Sequence, residues 1–548
     1  MSIMGLNIDL AGLKNRLTGL NNKLANKGLK NKACFIGLAV CTSLCATGVM
    51  AQKTGSRVLH PEMMKKDIVY FNSLDTTEDV KNFVSNADTY QWLSANVPLF
   101  ECPDSAIQKI YYYRWWTLRK HLKQTPEGYV FTEFITPMKH GSKYNAISSA
   151  LGHQIYESRW LRNTEFAEKY ITYWLEVDKA TPKPHFHNFS SWVDDAVYQL
   201  YLVNGDKDFL RKSVPALTAD YSLWEKERQL PNQLFWQFDV KDAMEESISG
   251  SRKEKNIRPT INSYMYGNAA ALANIGAAIG ADSLVQKYQA KANTLKKLVV
   301  EQLWDEQASF FKVQKEKGGF ADVREAIGLI PWYFNLPPDK ASYAKAWDQL
   351  IDTTGFSAPW GLTTAERRHP LFRTHGSGHG CEWDGPIWPY ATTQDLKALS
   401  NLLNNYKSHG SMNSTVFYKE FRKYALSHVM NGKTYIGEYQ DEKNGEWLKG
   451  DNPRSRFYNH SGFTDLVISD LVGLKPGKDN VLEIRPLIPE QTWDWFCLDN
   501  VAYHGYTITV LWDKDGKKYG KGQGLYVYAD GVEIGHAKKL KPLKTKLK

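Results

Sequence analysis

The chain has 548 residues, 69 lysines and arginines against 59 aspartates and glutamates, a formal net charge of +10, and a hydrophobic share of 42%. Such a composition supports a sizeable buried core and excludes a low-complexity or disordered chain. The positive surplus sits in a Lys-rich leader and in the tail HAKKLKPLKTKLK, without a basic stripe interleaved with aromatics, so no nucleic acid is expected as a partner.

Residues 1–51 read as a signal peptide. A Lys/Asn-rich stretch ends at Lys32, an apolar run follows to Met50, and Val49-Met50-Ala51 fits small-x-small cleavage before Gln52. The expected location is periplasmic or secreted. Cys45 offers a lipoprotein alternative that Leu44 fits poorly, and the apolar run is short for a retained span. No second stretch of spanning length occurs, so no membrane span is expected after leader removal. Beyond the leader, Cys102, Cys381 and Cys497 are too few and too scattered for a disulfide framework or a zinc site.

From about Thr77 to Val472 the apolar spacing is i, i+3, i+4, as in Tyr198, Tyr201, Leu202 and in Ala271, Ile275, Ala278. It predicts helices over 78–93, 104–122, 143–159, 163–178, 189–203, 207–226, 262–280, 282–304, 319–329, 340–351, 386–404, 413–429 and 458–472. Asn204-Gly205-Asp206 and Gly280-Ala281-Asp282 stop one helix and start the next. Short-linked helical pairs suggest a mainly α architecture, six helical hairpins closed into an (α/α)6 toroid over residues 52–475. Four connections are long: 227–261, 305–318, 352–385 and 430–457. They are rich in Trp, Gly, acids and His, which marks long loops as functional rather than disordered. If they share one rim, they converge over a central pocket. After Pro476 the pattern alternates with turns, predicting a small C-terminal antiparallel β-domain over 476–548, with Asn500 to Asp513 as an edge hairpin.

Chemistry concentrates in the long connections. FWQFDVKDAMEESISGSR carries Asp239, Asp242, Glu245 and Glu246 within eight residues, among Phe235, Trp236, Phe238 and Met244. An acid beside apolar rings can keep its proton near neutral pH, as a general acid needs; the plainer reading is a helix N-terminus decorated with acids. TYIGEYQDEKNGEWLKGDNPRSRFYNH holds Glu438, with Arg454 and Arg456 as forks able to orient a carboxylate or bind an acidic sugar. SGHGCEWDGPIWPYATTQ places Trp383, Asp384 and Trp388 at a helix start, where a ring under a sugar and a carboxylate on its hydroxyls make a binding pair; Trp388 could equally be a hydrophobic staple. YYYRWW and Phe131-Thr132-Glu133-Phe134 could wall the same pocket, although core packing accounts for most of those rings. His185, His187 and Trp192 lie around another helix start and read as pocket rim. Without a third ligand the two histidines do not make a metal site, and no metal or cofactor is expected.

FDVKDAMEESISGSR resembles the catalytic-acid segment of the inverting toroidal glycosidases, the family 37 trehalases and family 63 glucosidases. CEWDGPIWPY resembles their Trp-Asp…Trp-x-Pro signature, and GEYQDEKNGEW the segment that carries their base. The order of the three segments is also theirs, and the likeness spans about residues 100 to 475. Within the group the chain is most similar to mannosylglycerate-hydrolase-like proteins of the polysaccharide-degrading Bacteroidetes. The resemblance implies a one-step inverting hydrolase, exo-acting and monomeric, that removes terminal sugars from an oligosaccharide or polysaccharide. It implies Glu245 as general acid and Glu438 as base. Those families usually have Asp at the acid position, which leaves Asp242 as the rival. Trp236, Asp239, Glu246, Trp383, Asp384, Trp388, Arg454, Arg456, His185 and Trp192 would surround the substrate. Two alternatives stay open: a polysaccharide lyase on the same toroid, using Tyr or His with Arg454 or Arg456, and a non-catalytic glycan-binding protein.

Overall fold

The computed structural model describes residues 57–374 and 380–547. The expected leader therefore lies outside the described residues.

The first helices are α1 (Lys65–Ser73), α2 (Thr89–Asn96) and α3 (Ser105–His121). Helix α3 is capped by Asp104, whose side chain accepts from the amides of Ala106 and Ile107, and ends in Arg119, Lys120 and His121. Both features complement the helix dipole. Tyr111, Tyr112, Tyr113, Trp115 and Trp116 are fully buried, so the YYYRWW run is core and not pocket wall. The helix expected at 78–93 forms only from Thr89, and α1 lay outside the sequence reading. A hairpin of β2 (Leu122–Thr125) and β3 (Gly128–Phe131) follows α3, where no strands were expected. It comes after the short strand β1 (Leu99–Glu101).

Next come α4 (Leu151–Ser158), α5 (Glu165–Thr172) with a π-helical extension Tyr173–Asp178, α6 (Val193–Asn204), α7 (Lys207–Arg228), α8 (Pro259–Ile279) and α9 (Asp282–Leu303). Gly205 and Gly280 end α6 and α8 at φ 73° and 77°, the left-handed conformation that glycine adopts without strain. Asp206 then caps α7 through the amides of Asp208 and Phe209. The remaining helices are α10 (Ile330–Tyr333), α11 (Ala341–Ala344), α12 (Pro389–Asn405), α13 (Ser414–Leu426) and a π-helical segment Leu466–Leu471. The helix expected over 319–329 is a 3-10 turn at Ala326–Leu329 leading into α10. Pro331 at the first turn of α10 suits a helix start rather than an interior.

Helices α4, α6, α8, α10, α12 and 466–471 contact one another in sequence order. The last also bonds back to the first. Thr464 donates its backbone amide (2.7 Å) and hydroxyl (2.9 Å) to Glu157, and Arg159 pairs with Asp465 at 2.7 Å. All these groups are buried, so the junction is charge-paired and dry.

The C-terminal part is an antiparallel sheet of order β1-β4-β5-β6-β7, with β4 (Trp495–Tyr503), β5 (Tyr506–Asp513), β6 (Gly524–Ala529) and β7 (Val532–Ala537). A smaller sheet joins Leu474–Lys475, Val481–Ile484 and Leu543–Lys546. The β4–β5 hairpin turns at His504 and Gly505, both with positive φ, as a two-residue hairpin turn requires. It is not an edge, because β1 from the N-terminal part pairs with β4 on one side and β6 covers β5 on the other. Among the described residues no helix is long and apolar enough to cross a membrane.

Candidate active site

The functional stretches precede the N-terminal ends of the same helices: 133–147 before α4, 185–192 before α6, 235–258 before α8, 383–388 before α12 and 438–461 before residue 464. Backbone bonds tie the long connections together. Trp383 donates to the Glu245 carbonyl at 3.2 Å, Ile387 and Gln440 exchange bonds of 2.9 Å, and Ile257 and Gln314 exchange bonds of 2.9 and 3.0 Å. All four long connections are therefore knitted at one end of the helical part.

Glu245 is held by its chain. Ala243 and Glu246, on either side of it, adopt φ of 58° and 63°, which non-glycine residues rarely take. Such strain persists only where surroundings impose it and tends to gather at functional sites. Here the imposing contacts are Met244, buried in the core, its amide on the Asp239 carbonyl at 3.0 Å, and the Trp383 bond. Burial pushes the Glu245 carboxyl up to about 7; its own backbone amide opposes this, and the charges of Asp239 and Glu438 add to it while Arg252 opposes. Glu245 thus keeps a substantial protonated fraction near neutral pH.

Glu438 is 1% exposed and accepts a hydrogen bond from the Ser455 hydroxyl. Arg454 Nε lies 3.6 Å from the same oxygen, and its guanidinium sits over the Phe134 ring at 4.9 Å. Phe457, next in the same loop, bonds back to the Ile436 carbonyl at 3.0 Å and closes the loop around Glu438.

Two further groups join these carboxylates. Glu133 is buried and receives hydrogen bonds from Tyr458 and from Ser149 (2.7 Å). Burial pushes it up to about 7 against those two bonds, and the charges of Glu438 and Glu245 add to the rise. Burial likewise pushes the Cys381 thiol up to about 12, with Glu245 and Glu438 again adding. One locus therefore holds Glu133, Glu245, Glu438 and Cys381. The sequence showed Glu133 only as a possible wall residue. Its apolar neighbours Phe131 and Phe134 gave it the pattern of core, and nothing local reveals that Tyr458, far along the chain, bonds it.

The other expected residues divide. Trp383 stacks on Trp388 (4.6 Å, 18°), and Trp388 on Tyr439 (4.6 Å, 18°), a three-ring pile that joins the two loops. Trp383 and Trp388 are 3% and 4% exposed, so they build the wall from behind. Asp384 is fully buried in the same wall. Asp239 lies next to Glu245 through charge, and Glu246 packs against Gly380, where an added Cβ would collide with its carboxylate. Trp236 is 7% exposed and covered by the Arg228 guanidinium at 4.5 Å.

Five expected residues fall outside the cluster. Asp242, the rival acid, is fully buried and bonded to Arg258 Nε at 2.7 Å and to the Ser190 hydroxyl at 2.6 Å. Burial raises the Asp242 carboxyl and Arg258 and Ser190 oppose the rise, but both of its oxygens are spent on these partners, which makes it an anchor of the loop. Trp192 is not at a rim but fully buried, against His153 (5.0 Å) and Tyr264 (4.7 Å). Arg456 spends its fork on Asp451 at 2.9 and 2.7 Å near the surface. His185 faces Asp178 at 3.8 Å, and His187 pairs with Asp220 over the Trp224 ring. Among the described residues no group of three or more His, Cys, Asp or Glu is arranged to hold a metal.

A carboxylate cluster over the N-terminal ends of packed helices, in a chain that continues into an antiparallel sheet, is the arrangement of a helical glycoside hydrolase domain. The mannosylglycerate hydrolase MGH1-like glycoside hydrolase domain model matches residues 143–461, and the chain belongs to that family. The glycosyl hydrolase family 65 C-terminal domain model matches residues 474–535. Among solved structures, one titled a sialidase is similar with 48% identity and a TM-score of 0.88, covering 90% of this chain and 46% of that one. A GH78 family rhamnosidase of a Bacillus species is similar in fold, with a TM-score of 0.56 at 15% identity over 79% of this chain and 41% of that one. So is the GH63 mannosylglycerate hydrolase of Thermus thermophilus in complex with glucose, at 0.50 and 14% over 65% of this chain and 98% of that one. The chain spans less than half the length of the sialidase and of the rhamnosidase.

Proposed function

We propose that this protein is an exo-acting, inverting glycoside hydrolase that removes terminal sugars from an oligosaccharide or polysaccharide, as a secreted or periplasmic monomer. The observation that carries the reading is that Glu245 and Glu438, from two long connections far apart in the chain, sit close enough for the charge of one to raise the other. Glu245 holds a proton near neutral pH and donates it to the glycosidic oxygen as the bond to the anomeric carbon breaks. Glu438, oriented by Ser455 and Arg454, takes a proton from the water that attacks the opposite face. An inverting pair works with its carboxyls about 6.5–9.5 Å apart, leaving space for that water. Glu133, raised to about 7 in part by the charges of Glu438 and Glu245, is coupled to both carboxylates. The family assignment supports hydrolysis over the lyase reading.

The helical part is read as an (α/α)6 toroid. The serial contacts of α4, α6, α8, α10, α12 and 466–471, together with the return from Thr464 and Asp465 to Glu157 and Arg159, support a closed inner ring. All the site loops then lie on its one rim.

The likeness to a protein titled a sialidase puts acidic terminal sugars among the first substrates to test, with Arg454 as the cation available to a sugar carboxylate. The deciding experiment is release of monosaccharides from a panel of sialylated and neutral glycans, with proton NMR of the first-formed anomer. Release with inverted configuration supports the proposal. Product absorbing in the ultraviolet as an unsaturated uronate refutes it in favour of a lyase, and saturable binding with no sugar released refutes it in favour of a glycan-binding protein.

A further inference from the structure

At the opposite end of the same helices lies a second cavity, of about 360 Å³. That falls within the range of about 300–1,000 Å³ typical of small-molecule sites. Six elements meet there through Tyr156, Tyr198, Asn274, Tyr333, Asn401 and Ser469. Apart from Tyr198, which lies at mid-helix, each lies toward the C-terminal end of its helix or segment. Asn401 stands thirteen residues along α12 from Trp388, which at the helical rise is roughly 20 Å from the carboxylate cluster.

The lining is unusual in its chemistry. Amides crowd it, namely Gln199, Asn274, Asn335, Asn401, Asn404 and Asn405, beside the rings of three tyrosines. Its charges cancel. Arg159 pairs with Asp465 at 2.7 Å, Lys397 with Asp465 (3.3 Å) and Asp470 (3.0 Å), Lys475 with Asp470 (2.8 Å), and Arg485 with Glu483 (2.7 Å). The Asp195 carboxylate accepts from Tyr156 at 2.5 Å. Each of the four lining cations already has an acid partner, Asp465 and Asp470 lying outside the lining itself, so an anion would have to displace an existing partner. Amides present a donor and an acceptor side by side, the match for adjacent hydroxyls, and flat rings suit the apolar face of a pyranose. Asn401 and Asn405 donate to the Tyr333 carbonyl (2.7 Å) and to Asn335 (2.9 Å), so these side chains are already fixed in place.

We propose that this cavity is a second carbohydrate site, which takes a neutral mono- or disaccharide and works independently of the carboxylate cluster. The test is calorimetric titration of the whole protein with glucose, mannose, maltose and sucrose, with inorganic phosphate as the anionic probe, and diffraction from crystals soaked in the tightest sugar. Ala270→Trp fills the cavity, and Asn274→Leu removes an exposed amide without touching the core. The proposal expects saturable binding of a neutral sugar, located among these amides. It expects binding weakened at least roughly tenfold by Ala270→Trp and roughly fivefold by Asn274→Leu, the loss of about one hydrogen bond. Turnover at the carboxylate cluster should be unchanged in both variants. If Ala270→Trp fails to fold, the affinity of Asn274→Leu decides. Absence of sugar binding, affinity unaltered in the variants, or phosphate bound there in preference to sugar would overturn the assignment. Because the readout is affinity and position, a negative result leaves the hydrolase proposal standing, and failure of hydrolysis leaves this one standing.

Discussion

Replacing Asp242 and Glu245 one at a time separates an anchor from an acid. Asp242 and Arg258 are 0% exposed and 2.7 Å apart, with Ser190 completing the carboxylate's bonds. Asp242→Asn keeps the shape but leaves the Arg258 guanidinium without its bonded counter-charge in a dry interior. Breaking one side of such a buried pair typically costs about 3–5 kcal/mol. The nearby charge of Glu325, which Arg258 also feels, places the expectation toward the lower end of that range. Glu245→Gln removes a group that is protonated near neutral pH, so little fixed charge is lost and stability should change by less than about 1 kcal/mol. Its turnover should fall roughly a hundredfold to ten-thousandfold, the worth of a general acid. The assay is urea unfolding of each variant followed by kcat on the folded fraction. The reasoning is refuted if Asp242→Asn is as stable as the parent yet inactive, or if Glu245→Gln unfolds and its folded fraction keeps full turnover.

Glu245 and Glu133 are both raised to about 7 from an ordinary value near 4.5, so the folded state binds more protons than the unfolded chain between those values. Their contribution to stability is complete below pH 4.5 and is lost as pH rises through 7; Glu133→Gln should flatten that decline in unfolding free energy measured against pH, and an unchanged slope would exclude Glu133. The basic limb of kcat/KM should fall near pH 7 with an apparent value belonging to the coupled carboxylates. In Glu133→Gln it should survive but move to lower pH, because a neighbouring negative charge is gone; a limb moving up would contradict the assignment. Gly152→Ala would drive a methyl into the Trp192 ring, so it should destabilise by about 3 kcal/mol or more, and Trp192→Phe should recover part of the loss in the double variant.

Long helices with one apolar face were legible because their period repeats over many turns. Helices α7, α8, α9 and α12 begin within about three residues of where the spacing and the Gly and Asp signals put them. The 122–131 hairpin was missed because two four-residue strands are too short to show alternation against the aromatic background of α3. The stretch 319–329 looked helical from its apolar spacing, but Glu325 pairs with Ala365 as an extended bridge and only four residues turn before α10. In the site, Glu245 and Glu438 stood out because acids among rings and glycines offered a chemical use beside the plainer one of an acid-decorated helix start. Asp242 could not be set aside from the sequence, because its partner Arg258 is named only by the fold. Trp192 and Glu133 traded places for a similar reason: one apolar ring and one acid each looked local, while burial and partners are properties of the packed chain.

Whether two glutamates perform this reaction is asked most directly by one rate. We expect Glu438→Gln to fold as the parent does and to lose turnover on any glycan the parent cleaves, roughly a hundredfold or more. A Glu438→Gln protein that hydrolyses that glycan at the parental rate would contradict the account.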